Sequence, residues 1–217
     1  MKPFTIIDAP QRSPEWFRAR LGRLTGSCAG DILATIQKGE AASRRNLRLR
    51  LVLERLTGKS QESDYVSPAM ATGIEREADA IAAYELLTGH MVRSTGFLQH
   101  TTLMAGCSLD GHVGDFDVLV SVKCRQPAAH LEFLRTGNVS ASALAQIRHE
   151  LWITGAREHH YFLWNPDFPP SLQSRLVVIP REKADVPAYE AAAMVFIQEV
   201  DAEVDGVSAL AETAGVA

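Results

Sequence analysis

Cysteine is scarce, with three residues in a chain of 217. Cys28, Cys107 and Cys124 cannot all pair internally and show no CxxC or Cys/His spacing, which argues against a disulfide scaffold and a structural zinc site. They read as small buried residues in a reducing compartment. Uninterrupted apolar runs of about 18 residues are missing, so no membrane span and no membrane partner are expected. A secretory signal pattern is also missing, and a cytoplasmic protein is the expectation. No internal repeat is present. Nor is there an excess of one charge: 22 Lys and Arg stand against 26 Asp and Glu, and a net charge of -4 does not by itself point to nucleic acid.

What is there is ample apolar material, 46% of the residues, enough to bury a substantial core. One domain over residues 1–206 is expected, with an Ala- and Gly-rich flexible tail at 207–217. Charge is unevenly distributed. Residues 1–60 carry 12 Lys or Arg against 5 Asp or Glu, whereas from Glu182 onward one Lys faces eight acids. A basic half turned to a polyanion and an acidic half turned away would suit a nuclease; an ordinary solvated surface accounts for the counts equally well. Arg44, Arg45, Arg48 and Arg50 carry the same two readings.

Ser13-Pro14-Glu15-Trp16 has the cap and early Pro of a helix start. Further helices are expected from Thr25-Gly26-Ser27 to about residue 35, over 42–56 ending at Gly58, and over 68–87 ending at Gly89. The period then shifts toward strands at 91–100, 104–108 and 118–123, with residues 111–117 as the turn between the last two. Helices at 128–135 and 143–154, strands at 161–164 and 175–179, and a helix over 187–205 complete the pattern. The fold class is α/β, a mixed central β-sheet flanked by helices. Trp152 and Trp164 read as core aromatics. His159-His160 has no spaced carboxylate or Cys partner and reads as a junction between loop and strand.

Ser108-Leu109-Asp110-Gly111, followed by Val120-Ser121-Val122-Lys123-Cys124, carries the chemistry. A carboxylate at a strand end and a Lys on the next strand are what divalent-metal phosphodiester hydrolysis needs: the acid holds the cation, and the ammonium orients or activates the attacking water. An Asx turn at Asp110 and an edge-strand lysine are the plain alternatives.

The ordered blocks Trp16-x-x-x-Arg20-x-Gly22-x-x-Thr25-x-Ser27, Gly73-x-x-x-Glu77, Ser108-x-Asp110-Gly111, Val122-Lys123-Cys124 and Gln146 resemble the phage lambda exonuclease and YqaJ recombinase family of PD-(D/E)xK nucleases. The resemblance spans residues 13–199. It implies a restriction-endonuclease-like core and Mg²⁺-dependent 5′ to 3′ digestion of linear double-stranded DNA, with Mn²⁺ as a substitute. It also implies a homotrimer encoded by a phage or prophage, working in a bacterial host with a single-strand annealing protein.

Residue by residue, the resemblance makes Asp110 the metal-bridging acid, Lys123 the motif lysine and the Val122 carbonyl a further ligand. Glu77 is the helix-borne acid near the metal, with Glu75 as its competitor. Arg20, Ser27 and Ser108 form a pocket for the 5′-phosphate, although Ser27 also reads as a helix cap. Gln146 positions the scissile phosphate or water, at i, i+4 from Glu150 on one helix. Arg148 stands where the family has a second Gln and is given no role. Met70 matches an apolar wedge at the DNA end; a buried core Met is the plain alternative.

One acid of the pattern is missing. The residue two before the lysine should be Glu and is Ser121, a poorer Mg²⁺ ligand. Asp117 lies on the same strand face but about 13 Å away; Asp115 would serve only if the turn folds back. Three readings stay open: a crippled engineered nuclease, a natural variant in which Glu150 or another acid supplies the charge, and a binding-only homologue. The corresponding functions are an exonuclease, a non-catalytic DNA-end-binding recombination protein and, because the core chemistry is shared, a restriction-type endonuclease.

Overall fold

The computed structural model describes residues 2–62 and 67–214, with the side chains of 69, 70 and 211–214 outside the description. The helices are α1 (Pro14–Arg20), α2 (Ala29–Ile32), α3 (Ala42–Thr57), α4 (Pro68–Thr88), α5 (Pro127–Thr136), α6 (Ala141–Thr154) and α7 (Val186–Ala214). The strands are β1 (Phe4–Ile7), β2 (Leu24–Thr25), β3 (Phe97–His100), β4 (Ala105–Cys107), β5 (Gly111–Val113), β6 (Val118–Lys123), β7 (Glu158–Trp164) and β8 (Ser174–Pro180). The mixed α/β expectation holds, but the strands form two four-stranded sheets, ordered β1-β3-β4-β2 and β5-β6-β7-β8. No described helix is long and apolar enough to cross a membrane.

Helix ends follow local chemistry. Ser13 caps α1 by accepting from the Trp16 N–H, and α3 stops at Gly58, whose positive φ of 65° closes the last turn. Strand periodicity was less decisive. Of the expected strand at 91–100 only Phe97–His100 forms, while residues 111–113, expected in a turn, form β5 and pair antiparallel with β6. The helix expected from Thr25 shrinks to a 3-10 turn, Gly26–Cys28, and the four residues of α2; Leu24–Thr25 pair parallel with β4. At the other end α7 continues past Gly206, so residues 207–214 are helical.

The second sheet carries the Ser121-Val122-Lys123 motif. Strand β6 lies between β5 and β7, paired parallel to β7 with Leu119 opposite His159, Ser121 opposite Tyr161 and Lys123 opposite Leu163. The parallel pairing requires a long crossover, which α5 and α6 provide. One face of β6 and β7, including Leu119, Tyr161 and Leu163, packs with Leu151 and Trp152 of α6 in the main core. The other face, Val120, Val122 and Phe162, packs against Ala80 and Tyr84 of α4. Trp164 packs against this second cluster, and both tryptophans are core-facing as expected.

His159 and His160 are therefore interior strand residues, not a loop junction; both are buried, and His160 Nδ1 lies 2.6 Å from the Tyr84 hydroxyl. A polar ring inside a strand is sustained because each finds a polar partner on the covering helix.

The uneven charge also has an internal explanation. Arg44 reaches Glu199 at 2.8 Å, Arg48 reaches Glu203 at 2.9 Å, and Arg55 pairs with Asp201. The basic helix α3 and the acidic helix α7 thus neutralise each other. The expected division into a basic face for a polyanion and an acidic face turned away does not hold for these residues.

Helix α6 is fastened by His149, which is fully buried between the Tyr189 hydroxyl (2.8 Å from Nδ1) and the Gly106 carbonyl (2.9 Å from Nε2). These partners fit a neutral ring donating from Nε2 and accepting at Nδ1. Burial pulls its pKa down to about 4, against a smaller opposing effect of the Gly106 carbonyl. Because the folded value is depressed, His149 contributes stability above its unfolded value near 6.5, and this is lost as pH falls toward 4, on the order of 3 kcal/mol in all. His149→Gln should flatten the acid limb of a melting-temperature profile between pH 7 and 4.5.

Candidate active site

Asp110 occupies the link between β4 and β5, beside the end of β6. Its Oδ2 accepts from the Val122 main-chain N–H and from Lys123 Nζ, each at 3.0 Å. The first bond fixes the carboxylate against the neighbouring strand, and the second joins the two motif residues. The Asx-turn alternative does not account for a carboxylate bonded twelve and thirteen residues ahead. The edge-lysine alternative falls as well, since β6 has a partner on each side.

Lys123 is the more constrained of the pair. Burial, the largest influence, pulls its pKa down, but the charge and hydrogen bond of Asp110, aided by Glu150 and Tyr161, prevail and the value is pushed up to about 12. It is therefore a fixed positive charge at neutral pH. Glu77, on α4, shares with Asp110 a cleft of about 720 Å³ whose other lining residues include Gln11, Arg12, Ile74 and Ile81. Burial first, then the charge of Asp110, raises the Glu77 pKa; Lys123 and Arg12 partly offset them. Glu75 is exposed and does not line this cleft. Gly73, one turn before Glu77, faces open space.

Across the sheet, Gln146 and Glu150 point together from α6: Gln146 Nε2 donates to Glu150 Oε1 at 2.8 Å. Glu150 Oε2 lies 2.9 Å from His159 Nε2, and the same nitrogen is 3.3 Å from Ser121 Oγ. Asp115, by contrast, pairs with Lys2, so the β5–β6 turn does not fold back to replace the missing acid.

The three residues expected to hold a phosphate are connected unequally. Arg20 lies over the Trp16 ring, 4.1 Å from its centroid, and Trp16 Nε1 donates to Ser108 Oγ at 2.9 Å. Ser27 is exposed, 3.2 Å from the Thr25 hydroxyl, and lines a separate cleft with Ser142 and Arg148. It caps neither of the short helical pieces beside it.

Arg50 joins these parts. Its Nη2 is 2.9 Å from Cys28 Sγ and its Nη1 is 3.8 Å from Glu62, which also binds Arg20 at 3.0 Å. Arg20 and Arg50 each keep a buried Nε without a hydrogen-bond partner among the described residues. Nothing in the run of arginines distinguishes Arg50 in the sequence; in the fold Arg44 and Arg48 pair with α7, Arg45 is exposed, and Arg50 turns to Cys28. The side chain of Met70 lies outside the described residues.

The pattern for a YqaJ-like viral recombinase domain matches residues 15–157, about two thirds of the chain. The chain belongs to the YqaJ-like viral recombinase family. Among solved structures, the domain is similar to the alkaline exonuclease LHK-Exo from Laribacter hongkongensis, with 30% identity and a TM-score of 0.81 over 94% of this chain and 100% of the other. The complex of LHK-Exo with dAMP gives 31% identity and a TM-score of 0.82 over the same shares. A phage-related exonuclease from Haemophilus somnus 129PT shares the fold at 13% identity, with a TM-score of 0.60 over 83% of this chain and 96% of that one. No curated protein matches the chain. The YqaJ domain is thus homologous to phage-type exonucleases and recombinases.

Proposed function

We propose that this YqaJ domain is a Mg²⁺-dependent exonuclease that digests linear double-stranded DNA from the 5′ end and leaves 3′ single strands for recombination. The observation that carries the reading is the Asp110 carboxylate, hydrogen-bonded to Val122 and Lys123 at 3.0 Å and opening on the cleft that Glu77 shares. The donor chemistry fits the cation the family implies. Asp110 and Glu77 are hard oxygen donors near enough for one to raise the pKa of the other, and a divalent cation would relieve that repulsion.

Among the described residues no cluster of three or more His, Cys, Asp or Glu side chains could hold a metal unaided. This suits Mg²⁺, which takes few carboxylates and keeps several waters; the Val122 carbonyl is the further ligand by resemblance. When bound, the cation supplies Lewis-acid stabilisation of the phosphoryl oxygens.

The remaining roles belong to side chains. Lys123 provides positive charge where the phosphorane becomes more negative. Gln146 holds the scissile phosphate or water from the opposite wall. Arg20 and Ser108, with Ser27, receive the 5′-phosphate, and Arg50 adds charge to that pocket; in the free protein Glu62 is the counter-ion of both arginines. Arg20→Ala should lower the preference for 5′-phosphorylated over 5′-hydroxyl ends by about 10-fold or more, the worth of one charge-assisted contact. The annealing partner and a homotrimer encircling the duplex follow from the family likeness, and light scattering should give three chain masses.

The test compares linear 5′-phosphorylated duplex with covalently closed circular duplex in Mg²⁺. Acid-soluble nucleotides from the linear form alone support the exonuclease. Cleavage of the circle would indicate a restriction-type endonuclease, and binding to ends with no release from either would indicate a DNA-end-binding protein.

A further inference from the structure

We propose that Glu150, on helix α6, supplies the acidic metal ligand that the motif lacks at Ser121, with His159 as the residue that positions it; the proposal rests on the nuclease reading above. The register of β6 and β7 turns Ser121, Lys123 and Tyr161 to the face covered by α6. Ser121 Oγ is 3.3 Å from His159 Nε2, and Glu150 Oε2 is 2.9 Å from the same nitrogen. A Glu side chain at position 121 would extend past the serine oxygen toward the partner that the Glu150 carboxylate already engages. The two positions face one spot from opposite walls, so a carboxylate entering from α6 makes one from β6 unnecessary.

The Glu150 side chain is only 2% exposed. A buried carboxylate is costly unless its oxygens are partnered. Here Gln146 serves one oxygen and His159 the other. A purely structural hydrogen bond between α6 and β7 would account for Glu150 and His159. It leaves unexplained why the pair meets at the side chain of the one motif position that has lost its acid.

The opposite side is equally close. A Cβ on Gly26 would stand 3.6 Å from Glu150 Oε1 and 3.3 Å from Gln146 Cγ. Glu150 is therefore bracketed by the turn bearing Ser27 and by strand β6, between the proposed phosphate pocket and Lys123.

The experiment is calorimetric titration of Mn²⁺ into the full chain without DNA, paired with nucleotide release from linear duplex in Mg²⁺. The proteins are the unchanged chain, Glu150→Gln, and the reciprocal double variant Ser121→Glu, Glu150→Ser. Glu150→Gln should weaken Mn²⁺ binding by about 10- to 100-fold, and the double variant should recover most of that loss, because a carboxylate returns to the site from β6. The double variant also decides the matter should Glu150→Gln fail to fold. Unaltered Mn²⁺ affinity in Glu150→Gln, or no recovery in the double variant, would overturn the proposal. Glu150-dependent Mn²⁺ binding with no nucleotide release from any form would sink the nuclease reading and leave this assignment standing. Absence of Mn²⁺ binding by the unchanged chain would remove both.

Discussion

Asp110→Asn should lower nucleotide release from linear duplex by about three orders of magnitude or more, since a loss of roughly 4 kcal/mol of transition-state stabilisation is a thousand-fold in rate. The substitution is chosen because it separates charge from architecture. The Asn side-chain oxygen can still accept from the Val122 N–H, which Asp110 does at 3.0 Å, so the link between β4 and β5 should keep its path. What disappears is the negative charge facing Glu77 and Lys123. The salt bridge to Lys123 joins side chains that are 22% and 33% exposed, and its loss should cost about 1–3 kcal/mol of stability. A folded protein with a modestly lowered melting temperature and activity gone is the expected pair of results. An active Asp110→Asn would move the chemistry elsewhere.

Lys123→Met should cost about 100- to 1,000-fold in rate, the range seen when one donor to a developing oxyanion is removed. Methionine keeps most of the unbranched apolar stem of the lysine while deleting its charge. Lys123→Arg should recover part of the loss, because the charge persists but the bulkier guanidinium cannot reproduce the bond to Asp110 Oδ2. Proton abstraction by Lys123 is not required for either expectation. With a pKa of about 12, the group is charged at neutral pH, and its proposed role is to orient water and offset phosphoryl charge. Single-turnover release rates at saturating Mg²⁺ separate this effect from weakened DNA binding.

Much of the candidate site is legible in residue order because its members sit on locally determined elements. Asp110-Gly111 and the β6 motif are contiguous, Glu77 rides on a helix whose Gly89 stop is plain, and Gln146 and Glu150 are one turn apart. The Glu75 and Glu77 alternatives separated only when the orientation of α4 placed one in the cleft and the other in solvent.

Three features needed the fold. The pairing of α3 with α7 joins residues some 155 positions apart, and no local pattern relates Arg48 to Glu203. The hairpin of β5 and β6 was hidden because Gly111 and Gly114 mark a turn as readily as a short strand beside one. His159 was the largest omission. Its signal was faint but present: two residues before Tyr161 and four before Leu163, it shares their inward face in a strand that is otherwise apolar there. A polar ring on that face required a buried partner, and the partner is Glu150, beside the serine that had seemed the weak point of the motif.

Diffraction from crystals soaked in Mn²⁺ tests the central claim most directly, through anomalous scattering from the ion. A peak is expected at the Asp110 carboxylate, with Glu150 as the second acidic ligand. Saturating Mn²⁺ with no ion at Asp110, in crystals whose strands and helices are otherwise intact, would contradict it.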